Sequence, residues 1–366
     1  MEDKTTYILG EISTMKYGKL PPKQIDKGKY PIWSGYRTVG YCNEFNCAKG
    51  DVIIVARGVG GTGDVKIAKE NCYLTNLSIH VKLDCNICLP EYFYYRFLLS
   101  NLKYLDSGSA QSQITIDDLK RLTLALPPLA QQYKAVNILR SFDNKIELNN
   151  QINHNLEEQA QALFSHWLNN CEDKVAISEL CDNILDYTPI TAKRVVALNS
   201  SDVTEGVFAE LSYTPISEIK GQFKKRFEKG DILYSEIRPR NLHYAYCYFN
   251  PMDYIASTRL MVIRSKSEKL YSSVMLYQYL QMPKVFEEFT SKTESRSGTF
   301  PQGNFKDLSS SIVPYSGDNE EISIILESLY KLIWKNIDEN KSLSSLRDSL
   351  LPILMSGELK INDLTC

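Results

Sequence analysis

The sequence feature with the most obvious chemical potential is a glycine-rich loop that follows a short apolar run. Gly58, Gly60 and Gly63 have the spacing of a dinucleotide-binding fingerprint. Such a loop holds a pyrophosphate only when a helix begins directly after the glycines. Here Val65 and Ile67 begin an alternating pattern of apolar and other residues, which predicts a strand instead. We therefore interpret the segment as a β-hairpin with a glycine-rich tip.

The cysteines offer one pair with metal-ligand spacing, Cys85 and Cys88. A structural zinc site needs four ligands, and the sequence has no second Cys-x-x-Cys pair, although Cys42 and Cys47 could contribute. The four histidines lie in unrelated sequence contexts. We therefore expect no metal site and no catalytic residue in this chain.

Composition predicts an ordinary globular protein. The chain has 366 residues, which is enough for two or three domains, and its 23% charged residues are typical of a soluble protein. No apolar run approaches the ~20 residues that a membrane span requires. The opening Met-Glu-Asp-Lys lacks the basic and apolar features of a signal peptide. We expect a cytoplasmic protein whose cysteines are reduced.

Charge is distributed unevenly, although the net charge is only −2. Residues 15–37 contain six lysines and arginines against one aspartate, and residues 219–240 contain seven against three acidic residues. Residues 143–186 contain nine acidic residues and two lysines. This pattern favours a polyanion at the basic surfaces and a different partner at the acidic one. The alternative is that all three are ordinary solvated faces.

The two halves of the chain repeat the same order of features. Lys-Gly-Asp precedes an apolar run at residues 49–51 and again at 229–231. In the helical patterns further on, Ile138 matches Ile325, and other pairs follow at the same offset. Each half is therefore a mixed segment followed by a helical one. The predicted boundaries are 1–126 and 173–313 for the mixed segments, and 127–172 and 314–366 for the helical ones.

The mixed segments combine short strands with one helix each. Alternation and β-branched or aromatic content predict the strands, and apolar spacing predicts the helices. The strands are expected at 52–56, 65–68, 77–83, 232–234, 244–249 and 259–263, and the helices at 91–101 and 272–289.

The helical segments have apolar residues at spacings of three and four, interrupted by asparagines. This spacing is typical of a coiled-coil-like stripe. Acidic helices with such a stripe are natural docking surfaces for partner subunits, because they would otherwise expose apolar area. The predicted spacer and partner-contact residues are Ile138, Phe142, Ile152, Leu156, Leu163, Ile325, Leu329, Leu343 and Leu350.

The remaining polar constellation suits DNA. A protein that recognises DNA without catalysis needs Lys and Arg for phosphates, and forked or amide side chains at loop tips for base edges. For each such residue a solvated surface role is an equal alternative. The candidates in the first half are Lys16, Tyr17, Lys19, Ser34, Tyr36, Arg37, Arg57, Gly58, Gly60, Gly61, Thr62, Ser109, Gln111, Ser112 and Gln113. Those in the second half are Lys193, Lys224, Lys225, Arg226, Arg238, Arg240, Asn241, Arg259, Arg296 and Ser297.

Three stretches give the sequence a family resemblance. They are PIWSGYRTVGYCNEF (31–45), GDVIIVARG (50–58) and SGSAQSQITIDDLKRLTLALPPLAQQ (107–132). With them, nearly the whole chain resembles the specificity subunit of type I restriction-modification systems. The resemblance implies an α+β protein. In it, two pseudo-symmetric α/β target recognition domains are separated by two long, antiparallel, coiled-coil-like spacer helices. Each domain would recognise one part of a bipartite DNA site, and the helices would set the gap between the parts.

The resemblance also implies a division of labour. This chain would bind double-stranded DNA and hold no cofactor. Two methyltransferase subunits would supply S-adenosylmethionine and methylate adenine, and restriction subunits would use ATP and Mg²⁺. No membrane partner is implied. Alternatives are the specificity subunit of a related system with a fused methylase and nuclease, a coiled-coil scaffold with two carbohydrate- or protein-binding heads, and an enzyme that uses the glycine loop.

Overall fold

A computed structural model describes residues 4–35, 37–58, 61–106, 112–294 and 302–356. The chain forms two compact units. Unit 1 consists of residues 1–148 and 339–366, and unit 2 of residues 149–338. Among the described helices, none combines the length and apolar character needed to cross a membrane.

Among its described residues, the first half contains nine strands and two short helices before its long helix. A 3-10 turn at Lys103–Leu105 follows the first helix. The elements are β1 Thr5–Ile8, β2 Ser13–Tyr17, β3 Tyr30–Ser34, β4 Arg37–Cys42, β5 Val52–Val55, β6 Val65–Ile67, β7 Tyr73–Leu74, β8 Ser78–Leu83, α1 Pro90–Leu98, α2 Ile116–Lys120, β9 Thr123–Leu126 and α3 Leu129–Asn169.

The second half repeats this order with additional strands. The elements are β10 Asp173–Ala176, α4 Ile177–Leu180, β11 Cys181–Asn183, β12 Arg194–Leu198, β13 Val203–Thr204, β14 Val207–Phe208, β15 Thr214–Pro215, β16 Phe223–Lys225, β17 Ile232–Ser235, β18 Tyr244–Tyr246, β19 Tyr254–Ser257, β20 Leu260–Ser265, α5 Ser273–Leu280, α6 Pro283–Glu294, α7 Phe305–Ser309, β21 Ile312–Tyr315 and α8 Glu320–Ser356.

Sheet topology shows that the sequence repeat is also a structural repeat. In the first half one sheet has the order β2-β8-β5-β6, and in the second half β11-β20-β17-β18 has the same pattern of antiparallel neighbours. A parallel pair, β3·β7 or β12·β19, lies in a second sheet of each half. Each half also pairs its first and last strands, as β1·β9 and β10·β21. The predicted fold class, with its two pseudo-symmetric mixed domains, is confirmed.

Most predicted elements are present, and two differ from the prediction. The helix expected at 272–289 is two helices, α5 and α6, which are separated by Gln281 and Met282. Pro283 begins α6, and proline disfavours helical backbone in the residue before it, so the break falls at this point. The strand expected at 244–249 ends at Tyr246.

The long helices run antiparallel, as the resemblance implied. In unit 1, Arg347 pairs with Asp143 (2.7 Å) and Glu339 with Lys145 (3.4 Å). Residue numbers therefore fall along α8 as they rise along α3. Unit 2 shows the same direction. The side-chain amide of Asn336 donates to Asn153 (2.8 Å), and the indole of Trp167 donates to the carbonyl of Asp318 (3.4 Å).

The buried face of these helices is shifted from the predicted stripe. Leu163 is 42% exposed, whereas its neighbour Phe164 is fully buried in the core of unit 2. Leu139 is likewise buried in the core of unit 1, beside the partly buried Ile138. Each helix packs against a domain core as well as against the other helix, so its buried face is not the simple heptad seam that the spacing suggested.

The joints between domains and helices depend on two amides. Gln132 is buried near the start of α3, where it accepts from Leu89 N–H (3.0 Å) and donates to the carbonyls of Ile87 (2.8 Å) and Pro127 (2.9 Å). Asn319, just before α8, is also buried and donates to the carbonyl of Leu270 (2.5 Å). The two joints use different residues for the same purpose.

Candidate nucleic-acid interface

The glycine-rich loop is the tip of a β-hairpin, as predicted. β5 and β6 pair antiparallel, and hydrogen bonds Val55 N to Asp64 O and Gly63 N to Val55 O (both 2.9 Å) close the loop. Gly63 has φ +93°, and a Cβ there would lie 2.4 Å from the backbone nitrogen of Lys103. Glycine is therefore required at this position because the loop packs against its own chain. Gly58 also has a positive φ, but no described atom lies within 4 Å of a Cβ placed there.

Within the tip, only part of the predicted set faces outward. Gly61 and Thr62 are buried, and the Thr62 hydroxyl donates to the carbonyl of Gly58 (3.2 Å). These two residues hold the loop together, so we do not retain them as DNA contacts. Arg57 is half-buried, and its guanidinium donates to the carbonyl of Asn76 (3.3 Å). Gly60 lies outside the described residues.

Arg57 is joined to a second predicted segment. It forms an isolated antiparallel bridge with Gln113. Asp106 accepts hydrogen bonds from the Ser112 hydroxyl (2.5 Å) and from Gln113 N–H (2.9 Å). The structure therefore brings Arg57, Ser112 and Gln113 to one place. Ser109 and Gln111 lie outside the described residues.

A further group lies along β2. Lys16, Tyr17 and Lys19 are exposed, and together with Asn46 and His80 they line a shallow groove of about 210 Å³. The Tyr17 hydroxyl accepts from Ile116 N–H (3.1 Å), which fixes the ring beside the start of α2. The groove therefore presents two ammonium groups and one anchored aromatic ring, which are suitable for a polyanion.

The first-half candidates near β3 and β4 differ in their exposure to solvent. Arg37 is exposed at the start of β4. Ser34 is half-buried and accepts a hydrogen bond from the Thr75 hydroxyl (3.2 Å). Tyr36 lies outside the described residues. Arg37 is thus the better placed of the two described candidates.

In the second half, the loop after β17 occupies the place of the glycine tip. Ile237 bridges to Gln302 just as Arg57 bridges to Gln113. Arg238 and Leu242 both adopt the left-handed region, with φ +48° and +53°. Such backbone is costly for residues other than glycine and is found at binding sites when the surroundings enforce it. Arg238, Arg240 and Asn241 are exposed on this loop.

Arg240 already has an acidic partner. Its guanidinium donates to both carboxylate oxygens of Glu294 (2.6 and 2.9 Å) across an open cavity of about 590 Å³. This pairing raises the pKa of Arg240 and lowers the pKa of Glu294. Both side chains are accessible to solvent, so a phosphate competes with Glu294 for Arg240 at little cost. Arg296 and Ser297, which follow Glu294, lie outside the described residues.

The other basic candidates of the second half divide by burial. Lys225 is only 2% exposed, and its ammonium group donates to the carbonyl of Leu260 (2.7 Å). Burial also lowers its pKa. This side chain stabilises the domain and is not available to DNA, which corrects the prediction. Its neighbour Lys224 is exposed and lies over the Tyr187 ring (5.2 Å). Arg226 is half-buried, whereas Lys193 and Arg259 are exposed like Lys224.

Two polar residues were missed by sequence reasoning. Asn46 lines the β2 groove, where its side chain clamps both backbone groups of Leu74 (3.0 and 2.7 Å). Gln302 occupies the place of Gln113, and aligning the two Gln-x-x-x-x-Asp segments would have identified it. The signal for Asn46 is tertiary, because nothing in its local sequence distinguishes it.

Comparison with known proteins shows that the chain matches a protein family. The model of the type I restriction modification DNA specificity domain matches residues 1–158 and 195–342. The match therefore includes both halves and most of the chain.

Individual relatives agree with this match. The specificity subunit of the type I restriction enzyme HindI from Haemophilus influenzae is 34% identical over 158 residues, which cover 43% of this chain and only 34% of that protein. The MjaIX specificity subunit from Methanocaldococcus jannaschii is 23% identical over 352 residues, covering 86% of this chain and 79% of that protein. A solved S subunit from M. genitalium has a TM-score of 0.65 with 18% identity, covers 96% of each chain, and thus shares the fold.

Proposed function

This chain belongs to the family of type I restriction modification DNA specificity domains, and on that basis we propose that it recognises the DNA target for a type I restriction-modification complex. One observation supports the proposal most directly. The family match includes both halves, and the two halves place different polar loops at the same position of the same sheet topology. A repeated scaffold with variable loops suits recognition of two DNA segments.

We propose that the two segments of the target differ in sequence. The first-half loop presents Arg57 and Gln113, whereas the second-half loop presents Arg238, Arg240 and Asn241. Arginine favours guanine and amide side chains favour adenine at major-groove edges. Because the side chains differ, the loops select different bases, and the site is asymmetric and bipartite.

The chemistry belongs to partner subunits in this proposal. Two methyltransferase subunits supply S-adenosylmethionine and extrude the target adenine, and restriction subunits use ATP and Mg²⁺. The long helices offer docking surfaces, because apolar side chains remain exposed along them. They include Leu148, Ile152, Leu163, Ile324, Leu332, Leu346 and Ile353.

Methylation mapping in cells with and without the intact gene identifies the target motif. The purified complex with its methyltransferase subunits is then titrated with cognate and scrambled duplexes. We expect cognate affinity to fall by ~10³-fold or more between ~50 and ~200 mM salt, because phosphate contacts release counterions. We expect cognate DNA to bind more tightly at each salt concentration. Equal binding of both duplexes at every salt concentration would refute the proposal.

A further inference from the structure

A cluster of three metal-ligating side chains, with a second cysteine beside it, lies inside unit 1, and the proposed DNA contacts do not use it. The ligand atoms of Cys47, Asp51 and His80 lie within 4.8 Å of one another. His80 Nε2 is 2.8 Å from Asp51 Oδ2. Cys72 faces Cys47 across an isolated backbone bridge and supplies a fourth donor.

The fold assembles this cluster from three separate segments. Cys47 and Cys72 face each other in an isolated antiparallel bridge, with backbone hydrogen bonds of 3.1 and 3.0 Å in both directions. Directly opposed residues of an antiparallel pair project to the same side, which brings the two thiols together. Asp51 immediately precedes β5, and His80 lies in β8 opposite Ile53.

Burial and composition of the cluster fit a soft divalent cation. Both cysteines are essentially inaccessible, whereas His80 and Asp51 retain about a fifth of their side-chain exposure. Two thiols, one imidazole and one carboxylate are the donor types that zinc takes in four-coordinate structural sites. His80 also borders the groove along β2, which gives an ion a path from solvent.

The corresponding aspartate of the second half shows that a carboxylate at this position is paired with a cationic group. Gly50–Asp51 and Gly230–Asp231 both follow lysine, both glycines have positive φ (+90° and +98°), and each aspartate precedes the same strand of the repeat. Asp231 is 1% exposed and is neutralised by Arg264, which donates to its two oxygens (2.6 and 2.8 Å). In the first half the described side-chain partner of Asp51 is the imidazole of His80 (2.8 Å).

The rest of the second-half position is apolar. Phe227 precedes Asp231 by the same distance as Cys47 precedes Asp51, and its ring packs edge-on against Tyr254 (6.4 Å between centroids). Val262, opposite Leu233, takes the place of His80. Where the second half uses hydrophobic packing and an arginine, the first half has thiol, imidazole and carboxylate donors.

We propose that Cys47, Cys72, His80 and Asp51 bind one zinc ion, which joins the segment before β5 to β7 and β8. This replaces the expectation of a metal-free chain that was based on the spacing of Cys85 and Cys88. The site lies beneath the groove that Lys16 and Lys19 line, so its role is to stabilise that part of the first half. The proposal does not depend on the proposed DNA function.

The test measures metal in the full-length chain. Protein expressed with added zinc is passed through a desalting column, and zinc is quantified by elemental mass spectrometry. We expect about one zinc ion per chain, as in a closed four-ligand site. Cobalt reconstitution of the same protein should give the absorption bands of tetrahedral, thiolate-bound Co²⁺. Cys47→Ser/Cys72→Ser should lose the metal, whereas Cys85→Ser, which alters an exposed thiol of unit 1, should retain it.

Two wild-type measurements keep the test independent of whether a variant folds. A folded wild-type chain with less than about a tenth of an equivalent of zinc, and no thiolate-bound Co²⁺ spectrum, would overturn the proposal. So would a mass spectrum of the unreduced protein that shows a Cys47–Cys72 disulfide. Asp51→Asn should weaken zinc binding by at least about 10-fold, the lower range seen even for loss of outer-shell partners. Unchanged affinity would exclude Asp51 as a ligand.

Discussion

The loops that follow β5 and β17 leave equivalent sheets at the same place, yet they are built in opposite ways. The first is glycine-rich and packs so closely against its own chain that a Cβ at Gly63 would lie 2.4 Å from the backbone nitrogen of Lys103. The second has arginines and holds Arg238 in left-handed backbone. Both loops are joined to the next segment by one bridge, to Gln113 and to Gln302. The scaffold therefore fixes where a recognition loop stands, and leaves its contents free to vary.

The interior shows a related difference. Asp51 and Asp231 each accept a backbone hydrogen bond from the preceding turn, from Ala48 N–H (3.3 Å) and Glu228 N–H (2.6 Å). The negative charge is then balanced by Arg264 in the second half, and by the proposed zinc ion in the first. Thus one local motif can be embedded in two different interiors.

Exchange of a whole mixed segment is the strongest test of the comparison. Replacing residues 1–126 with the corresponding segment of another family member should change one half of the DNA target completely and leave the other half intact. The reason is that each half has its own sheet and its own loop. Methylation mapping of the chimera measures both halves of the site. A change in both half-sites would show that the halves do not act separately.

Removal of zinc should separate the stabilities of the two halves. A chelator should destabilise the first half by several kcal/mol, because the donors then lack a cation. This is less than the ~10–16 kcal/mol of zinc-finger peptides, since the first half also has its own apolar core. Hydrogen exchange should accelerate in β5 to β8 and stay unchanged in β17 to β20. Equal acceleration in both sheets would mean that the chelator acts elsewhere.

Removal of Arg264 should instead destabilise the second half. Arg264→Met leaves the buried carboxylate of Asp231 without its cation. We expect the free energy of unfolding to fall by about 3 kcal/mol, the lower end for removing one partner of a buried ion pair, because the arginine is partly exposed. Urea unfolding of the variant measures this loss. The double variant Asp231→Asn/Arg264→Met should recover part of it. Without recovery, the loss would reflect packing and not charge.

Single loop arginines should have the smallest effects. Arg238→Ala should cost about 1–3 kcal/mol of discrimination at the second half-site, as for one bidentate base contact. Arg57→Ala should act only at the first half-site. Binding of duplexes with substitutions in either half-site measures both effects. Lys225→Met is the matched control, because this lysine is buried; a change in target preference for that variant would contradict its structural role.

The sequence by itself determined the repeat and the hairpin, because these depend on local periodicity and on turn residues, and the fold class followed from the family resemblance. Val65 and Ile67 were enough to replace a nucleotide loop with a strand. The break before Pro283 also had a local signal, which the apolar pattern of 272–289 obscured. No such local signal indicates which face of α3 is buried. Phe164, not Leu163, faces a core formed by residues that are distant in sequence.

Only the tertiary structure decided which polar residues are available. Lys225 and Thr62 looked like their exposed neighbours in sequence, but strand pairing and loop closure bury them. Cys47, Asp51, Cys72 and His80 have no motif spacing, because their proximity comes from strand register across three segments. Short-range patterns specify elements, whereas burial and side-chain clusters depend on which elements meet.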